Sequence, residues 1–256
     1  MCQIDQAIQH LVNRLQNKGI ISEQLDLTYS WYDRINRVTY TENTVNDLFS
    51  RYNGRIINTI FNRVSLQEVI LEILDWGIPN VGRETRIGLA RRYSHLLNEI
   101  HQESNEDNRV EYVIGRLGEE TPLSSWTKVL AAYAPNRFWI YDARVALALR
   151  FLSKYANFHF DGWFMPTPGS QYVGELASTI NNGHLNTRNA NPSNSYRNYL
   201  ELLLMEGQNC DCAADAARTA SHFEKKLFML GGAIRDMYEH GNQDVKNIII
   251  AIGCEN

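Results

Sequence analysis

Two side chains in one short stretch could do chemistry together. They are the amine of Lys128 and the carboxylate of Asp142, within TPLSSWTKVLAAYAPNRFWIYDARVALALRFLSKY at 121–155. An amine attacks carbon only when neutral, which calls for a dry setting or neighbouring cations. Trp126, Val129 and Leu130 around Lys128 offer the dry setting. A carboxylate at a helix N-terminus is held by orphan backbone N–H groups, and the helix end favours its negative charge. Asp142 stands directly before a helix whose Val145, Leu149 and Leu152 are four and three apart, the spacing of one buried face. Each residue also has a plainer reading. An aspartate there caps helices in many proteins without further role, and a lysine beside a tryptophan commonly snorkels at a surface.

The elements that must position this pair are two helices, near 126–134 and 143–155. Pro135 prevents them from being one. A short helix over 110–117 precedes them, and the three are expected to form the centre of a compact helical domain. Apolar periodicity predicts further helices over 3–17, 44–60, 83–101 and 171–180. Ser65 reads as the N-cap of a helix over 66–75, with Glu68 completing a capping box. Asn105 to Asn108 reads as a polar break, and 157–170 as an irregular connection. Later helices are expected from Ser195 or Tyr196 to Met205, over 213–231, and onward to Tyr238. The aromatic region of Tyr29, Trp31, Tyr32 and Tyr40 carries no assignable period, and the β-branched KNIIIAIG reads as a strand or a buried terminus. There is no βα alternation, dinucleotide loop or phosphate loop. The fold class is all-α: a single globular domain over 1–256, or two lobes with the active cleft between them.

At 256 residues and 44% hydrophobic content, a substantial core is available. No stretch is apolar for long enough to span a bilayer and the N-terminus does not open a secretory signal, so a cytoplasmic protein without a membrane partner is expected. Of Cys2, Cys210, Cys212 and Cys254, only Cys210 and Cys212 are close, and one intervening residue is not zinc spacing. His159 with Asp161, and His222 with Glu224, each lack a third ligand, so no metal or cofactor is expected. The net charge of -4 counts weakly against nucleic acid, but its distribution matters more. Residues 121–160 set Lys128, Arg137, Arg144, Arg150 and Lys154 against Asp142 alone, and Arg83, Arg86, Arg91 and Arg92 cluster upstream.

The order of Pro122, Lys128 and Asp142 resembles the helix-hairpin-helix DNA glycosylases, in particular the 8-oxoguanine DNA glycosylase branch. It is also similar to that fold's less characterised bacterial relatives, some of which act on modified bases in invading DNA. In the family a Pro-containing hairpin leads to a lysine at the start of its second helix. A hydrophobic stretch follows, then a Val/Ile-Asp pair capping the next helix, with a valine soon after. Here these pieces read PLSSWTK, VLAAYAP and IYDARV. Leu123-Ser124-Ser125-Trp126 stands where the family has its glycine-rich, phosphate-binding hairpin, and the interval from lysine to aspartate is shorter.

The resemblance implies a compact helical glycosylase-like fold with a divergent helix-hairpin-helix. It also implies excision of a damaged or modified base from double-stranded DNA by cleavage of the N-glycosidic bond. Lys128 corresponds to the lysine nucleophile of a bifunctional enzyme with Schiff-base AP lyase activity, and Asp142 to the catalytic carboxylate; the alternative is a monofunctional enzyme that needs only the carboxylate. Arg137, Arg144 and Arg150, with Arg83 and Arg86, are then candidates for phosphate contacts. Trp139, Tyr141, Trp163 and Phe164 are candidate walls of a pocket for the extruded base. Glu224 and Phe228 mark a C-terminal helix expected to pack behind the active lobe. A monomer acting in repair or antiviral defence is expected. The alternative is a non-catalytic helical nucleic-acid-binding or defence-associated protein.

Overall fold

Ile4, Ala7, Ile8, Leu11, Val12 and Leu15 lie three and four apart, and all six are buried along one face of helix α1 (Gln3–Asn17). This comes from a computed structural model, which describes residues 3–33, 37–103, 106–117, 122–153, 163–166, 171–182, 191–209 and 216–254. Cys2, Thr121, Lys154, His159, Asp161, Cys210 and Cys212 lie outside the described residues. The chain is mostly α-helical, as its periodicity predicts. After α1 come β1 (Ser30–Asp33) and β2 (Val38–Thr41), then α2 (Glu42–Thr59), α3 (Arg63–Gly77), α4 (Arg83–Gln102) and α5 (Glu106–Gly115). The focal segment follows as α6 (Leu123–Tyr133) and α7 (Ala143–Leu152). Then come α8 (Gln171–Asn182), α9 (Pro192–Asn209), α10 (Ala216–His240) and α11 (Gln243–Cys254).

Several local expectations are corrected. Asn62, not Ser65, caps α3: the Ser65 backbone N–H donates to Asn62 Oδ1 at 3.2 Å, placing Ser65 inside the first turn. Helix α5 begins within the expected polar break, at Glu106. Helix α10 runs unbroken through the junction expected near 231. KNIIIAIG is helical within α11, with Ile249 and Ile252 buried. A lone strand would have left its backbone groups without a ladder, and a helix satisfies them internally. The unassigned aromatic region forms an antiparallel hairpin pairing Trp31 with Tyr40, whose rings stack at 5.6 Å. Trp76 from α3 packs edge-on against Trp31 at 5.2 Å.

The chain divides into two compact units. The first takes Met1–Tyr29, Asp142–Asn191 and Asn198–Asn256, and the second takes Ser30–Tyr141 and Pro192–Arg197. In the second, α6 packs with α2 and α3, and every residue of α6 except Ser124 is buried. In the first, α7 packs on α10, with α8, α11 and α1 around it, and every residue of α7 except Arg144 is buried. Helices this enclosed allow close backbone approach only at small residues. At Gly231 of α10, a Cβ would overlap the Arg144 backbone carbonyl on α7, whereas at Gly232 nothing lies within 4 Å. Among the described residues no helix is long and apolar enough to cross a membrane.

This contrast gives a paired test. Gly231→Ala should destabilise the protein by about 1–3 kcal/mol through overpacking. Gly232→Ala should be neutral or stabilising by up to about 1 kcal/mol through helix propensity. Urea unfolding of the two variants measures both, and equal effects would contradict the close approach.

Candidate active site

Lys128 sits at the middle of α6, in the second unit. Its side chain is buried, at 7% exposure, so the snorkelling alternative is not what the structure shows. The aliphatic stem lies against Gly77, the last residue of α3, where a Cβ would overlap Lys128 Cδ. The missing side chain at Gly77 therefore makes the space that the lysine fills. Nζ donates to the Ser124 carbonyl and to Ser124 Oγ, both at 3.0 Å. These contacts satisfy donors that burial would otherwise leave costly. Around it, Tyr93 Oη and Ser125 Oγ share a hydrogen bond of 2.7 Å, and Thr127 Oγ1 accepts from the Tyr141 backbone N–H at 3.1 Å. The latter bond anchors the chain leaving α6 just before Asp142.

Asp142 is the N-cap of α7, in the first unit. Its backbone is extended, at φ -112° and ψ -178°, the usual cap conformation. Oδ1 accepts from the backbone N–H groups of Arg144 at 2.9 Å and Val145 at 3.1 Å. One oxygen thus anchors the carboxylate, leaving Oδ2 outside the cap.

Three residues from distant parts of the sequence join this helix end. The Arg144 guanidinium lies 4.0 Å above the centre of the Phe228 ring on α10, and Tyr29 packs against the same ring at 5.7 Å. Burial pushes the Tyr29 phenol far above its ordinary value. The Glu224 carboxylate adds to this, Arg144 opposes it, and Asp142 contributes a smaller rise. The phenol therefore keeps its proton and can donate. Burial also lowers the Arg144 guanidinium from its ordinary value, with Asp142 opposing. Arg144 and Tyr29 each keep some accessible surface while their polar groups are strongly desolvated. Glu224 and Phe228, expected only to back the active lobe, are thus close to the helix end that Asp142 caps.

The remaining sequence candidates separate. Arg83 and Arg137 are exposed. Arg86 is committed internally: Nε pairs with Asp75 at 2.7 Å and Nη1 donates to the Pro79 carbonyl at 2.8 Å. Arg150 is buried, at 5% exposure, and its guanidinium donates to the Trp163 carbonyl. It is an internal tie and offers nothing to a phosphate. Trp139, Tyr141 and Trp163 are core residues, leaving no ring face for an extruded base in this structure. Tyr196 Oη donates to the Trp139 carbonyl at 3.1 Å, and Trp163 Nε1 donates to Ser153 Oγ at 2.8 Å. Phe164 is half-buried. Among the described residues, no three His, Cys, Asp or Glu side chains cluster to hold a metal.

No protein-family model, curated protein or solved structure matches the chain. What the residues themselves can supply is a desolvated amine on one helix, and on another a fixed carboxylate with a neutral phenol, an arginine and a second carboxylate nearby.

The cap and the charge of Asp142 can be tested apart. Asp142→Ala should lose about 1 kcal/mol of stability with the cap, whereas Asp142→Asn should stay within a few tenths (~0.3 kcal/mol), because asparagine caps equally well. Urea unfolding decides. An alanine variant as stable as the parent would mean that the cap carries no stability.

Proposed function

We propose that the protein is a DNA glycosylase that cleaves the N-glycosidic bond of a damaged or modified base in double-stranded DNA, with a helical glycosylase-like fold. The observation that carries this reading is the setting of Asp142. Its carboxylate is oriented by two backbone N–H groups at a helix N-terminus. A fixed negative charge of this kind stabilises a sugar developing oxocarbenium character. Lys128 supplies the amine. In its neutral form Nζ attacks C1′, the bond from C1′ to the base nitrogen breaks, and the base leaves with the electron pair and takes up a proton. Opening of the sugar ring then gives a Schiff base, whose β-elimination cuts the strand.

The burial of Lys128 supports this role, since a desolvated lysine loses its proton more readily. Gly77 supports it too, as a space kept open for the lysine stem. Near Asp142, Phe228 and Tyr29 offer aromatic surface. Exposed Arg83, Arg91, Arg92 and Arg137 would meet phosphates, giving binding that weakens as salt rises.

The test is base release from duplexes carrying oxidised, alkylated and hypermodified bases, read as alkali-labile abasic sites. At least one substrate should yield product. Asp142→Asn, which keeps the cap, should slow release by about a hundredfold or more. Gly77→Ala should slow release severalfold by displacing the lysine stem, with little loss of helicity. Folded protein that binds these duplexes yet releases no base would overturn the reading in favour of a binding protein.

A further inference from the structure

The second unit holds an open cavity of about 210 Å³ at the C-terminal end of α6. It is separate from the contacts of Lys128 and from the surroundings of Asp142. His101, Arg109, Tyr133 and Arg137 give it one polar side, while Val110 and Phe138 give it an apolar one. The polar side is tied together. Arg109 Nε donates to the Glu103 carbonyl, which anchors the guanidinium, and His101 Nδ1 lies 3.3 Å from Tyr133 Oη. Burial raises the Tyr133 phenol and the nearby Arg109 charge opposes that rise, so the cation acts on this hydroxyl. Among the described residues, no carboxylate lines the cavity.

A helix C-terminus ordinarily repels anions through its unpaired carbonyls. Here three carbonyls at this end already have donors. The Leu130 carbonyl accepts from Ala134 N–H, the Tyr133 carbonyl from Asn53 Nδ2, and the Ala134 carbonyl from the N–H groups of Arg137 and Phe138. The residues that line the cavity thus include two arginines, a tyrosine and a histidine. At its rim lies an aromatic ring left in water: Phe61, at 75% exposure, stands edge-on to His101 at 5.6 Å. Ile57, at 44% exposure, also lines the cavity.

We propose that this cavity binds the phosphate of a nucleotide, with the base laid on Phe61 and the sugar across Ile57. Arginine forks match phosphate oxygens in charge and in paired donor geometry. The volume takes a phosphate group but falls below the roughly 300 Å³ at which whole-ligand pockets begin, so the base stays at the rim. A stacked base needs only an exposed ring face, and Phe61 has one. The ligand is a nucleoside monophosphate, either free or as the phosphorylated end of a strand. The site shares only Arg137 with the glycosylase reading and does not rest on it.

Calorimetric titration with 2′-deoxyadenosine 5′-monophosphate, 2′-deoxyadenosine, inorganic phosphate, and single-stranded oligonucleotides with 5′-phosphate or 5′-hydroxyl ends tests the proposal. The monophosphate should bind at least tenfold more tightly than the nucleoside. Arg137→Ala, at an exposed position, should weaken it at least tenfold in protein that remains folded by circular dichroism. Arg109→Lys, which keeps the charge but not the fork, should also weaken it. Phe61→Ala should reduce its affinity to that of inorganic phosphate. Arg137-dependent preference for the 5′-phosphorylated strand over the free monophosphate would identify a strand end as the source, and the reverse preference a free nucleotide. The proposal is overturned if the monophosphate does not bind, binds no better than the nucleoside, or is unaffected by Arg137→Ala.

Discussion

A helix buried on almost every side leaves its polar side chains little contact with water, so they are satisfied chiefly within the protein. Helices α6 and α7 are both of this kind. On α6, Ser125 is satisfied by Tyr93, Thr127 by the Tyr141 backbone, and Lys128 Nζ by Ser124. On α7, Arg150 reaches the Trp163 carbonyl. Asp142 turns its carboxylate onto the first N–H groups of the helix it opens. An apolar side chain at position 128 would pack there without the desolvation cost that an ammonium carries. A lysine standing in that space is what gives a chemical role for Lys128 its physical motive.

Two glycines extend the same constraint beyond the two helices. Gly77 leaves the room that the Lys128 stem occupies, and Gly231 allows α10 to approach the Arg144 backbone. The second approach carries Phe228 over the Arg144 guanidinium and sets Glu224 near Tyr29. Tyr29, Phe228 and Glu224 thus join the surroundings of Asp142 through helix packing, not through the local sequence around it.

What the sequence reveals follows from how local each determinant is. The cap of α7 is legible because Asp142 and the N–H groups it binds are two and three residues apart. The break at Pro135 and the amphipathic face of α1 are legible for the same reason. The start of α3 is not, because Asn62 and Ser65 can both cap and only the backbone decides between them. The isoleucine run of α11 reads as a strand or a buried terminus until its burial in a helical unit is known. Arg150 and Trp139 look available because the visible period marks only one face of a helix, or none of a loop, while tertiary packing encloses them wholly. Tyr29 joins Asp142 from another part of the chain, and no spacing rule connects them.

The central claim is that the buried amine of Lys128 is a nucleophile. Borohydride reduction during turnover on a duplex with an excisable base, followed by digestion and mass spectrometry of the adduct, tests it most directly. The account predicts a covalent sugar–protein linkage at Lys128 Nζ, absent from Lys128→Gln. Base release without any trapped adduct, or an adduct on a different side chain, would contradict it.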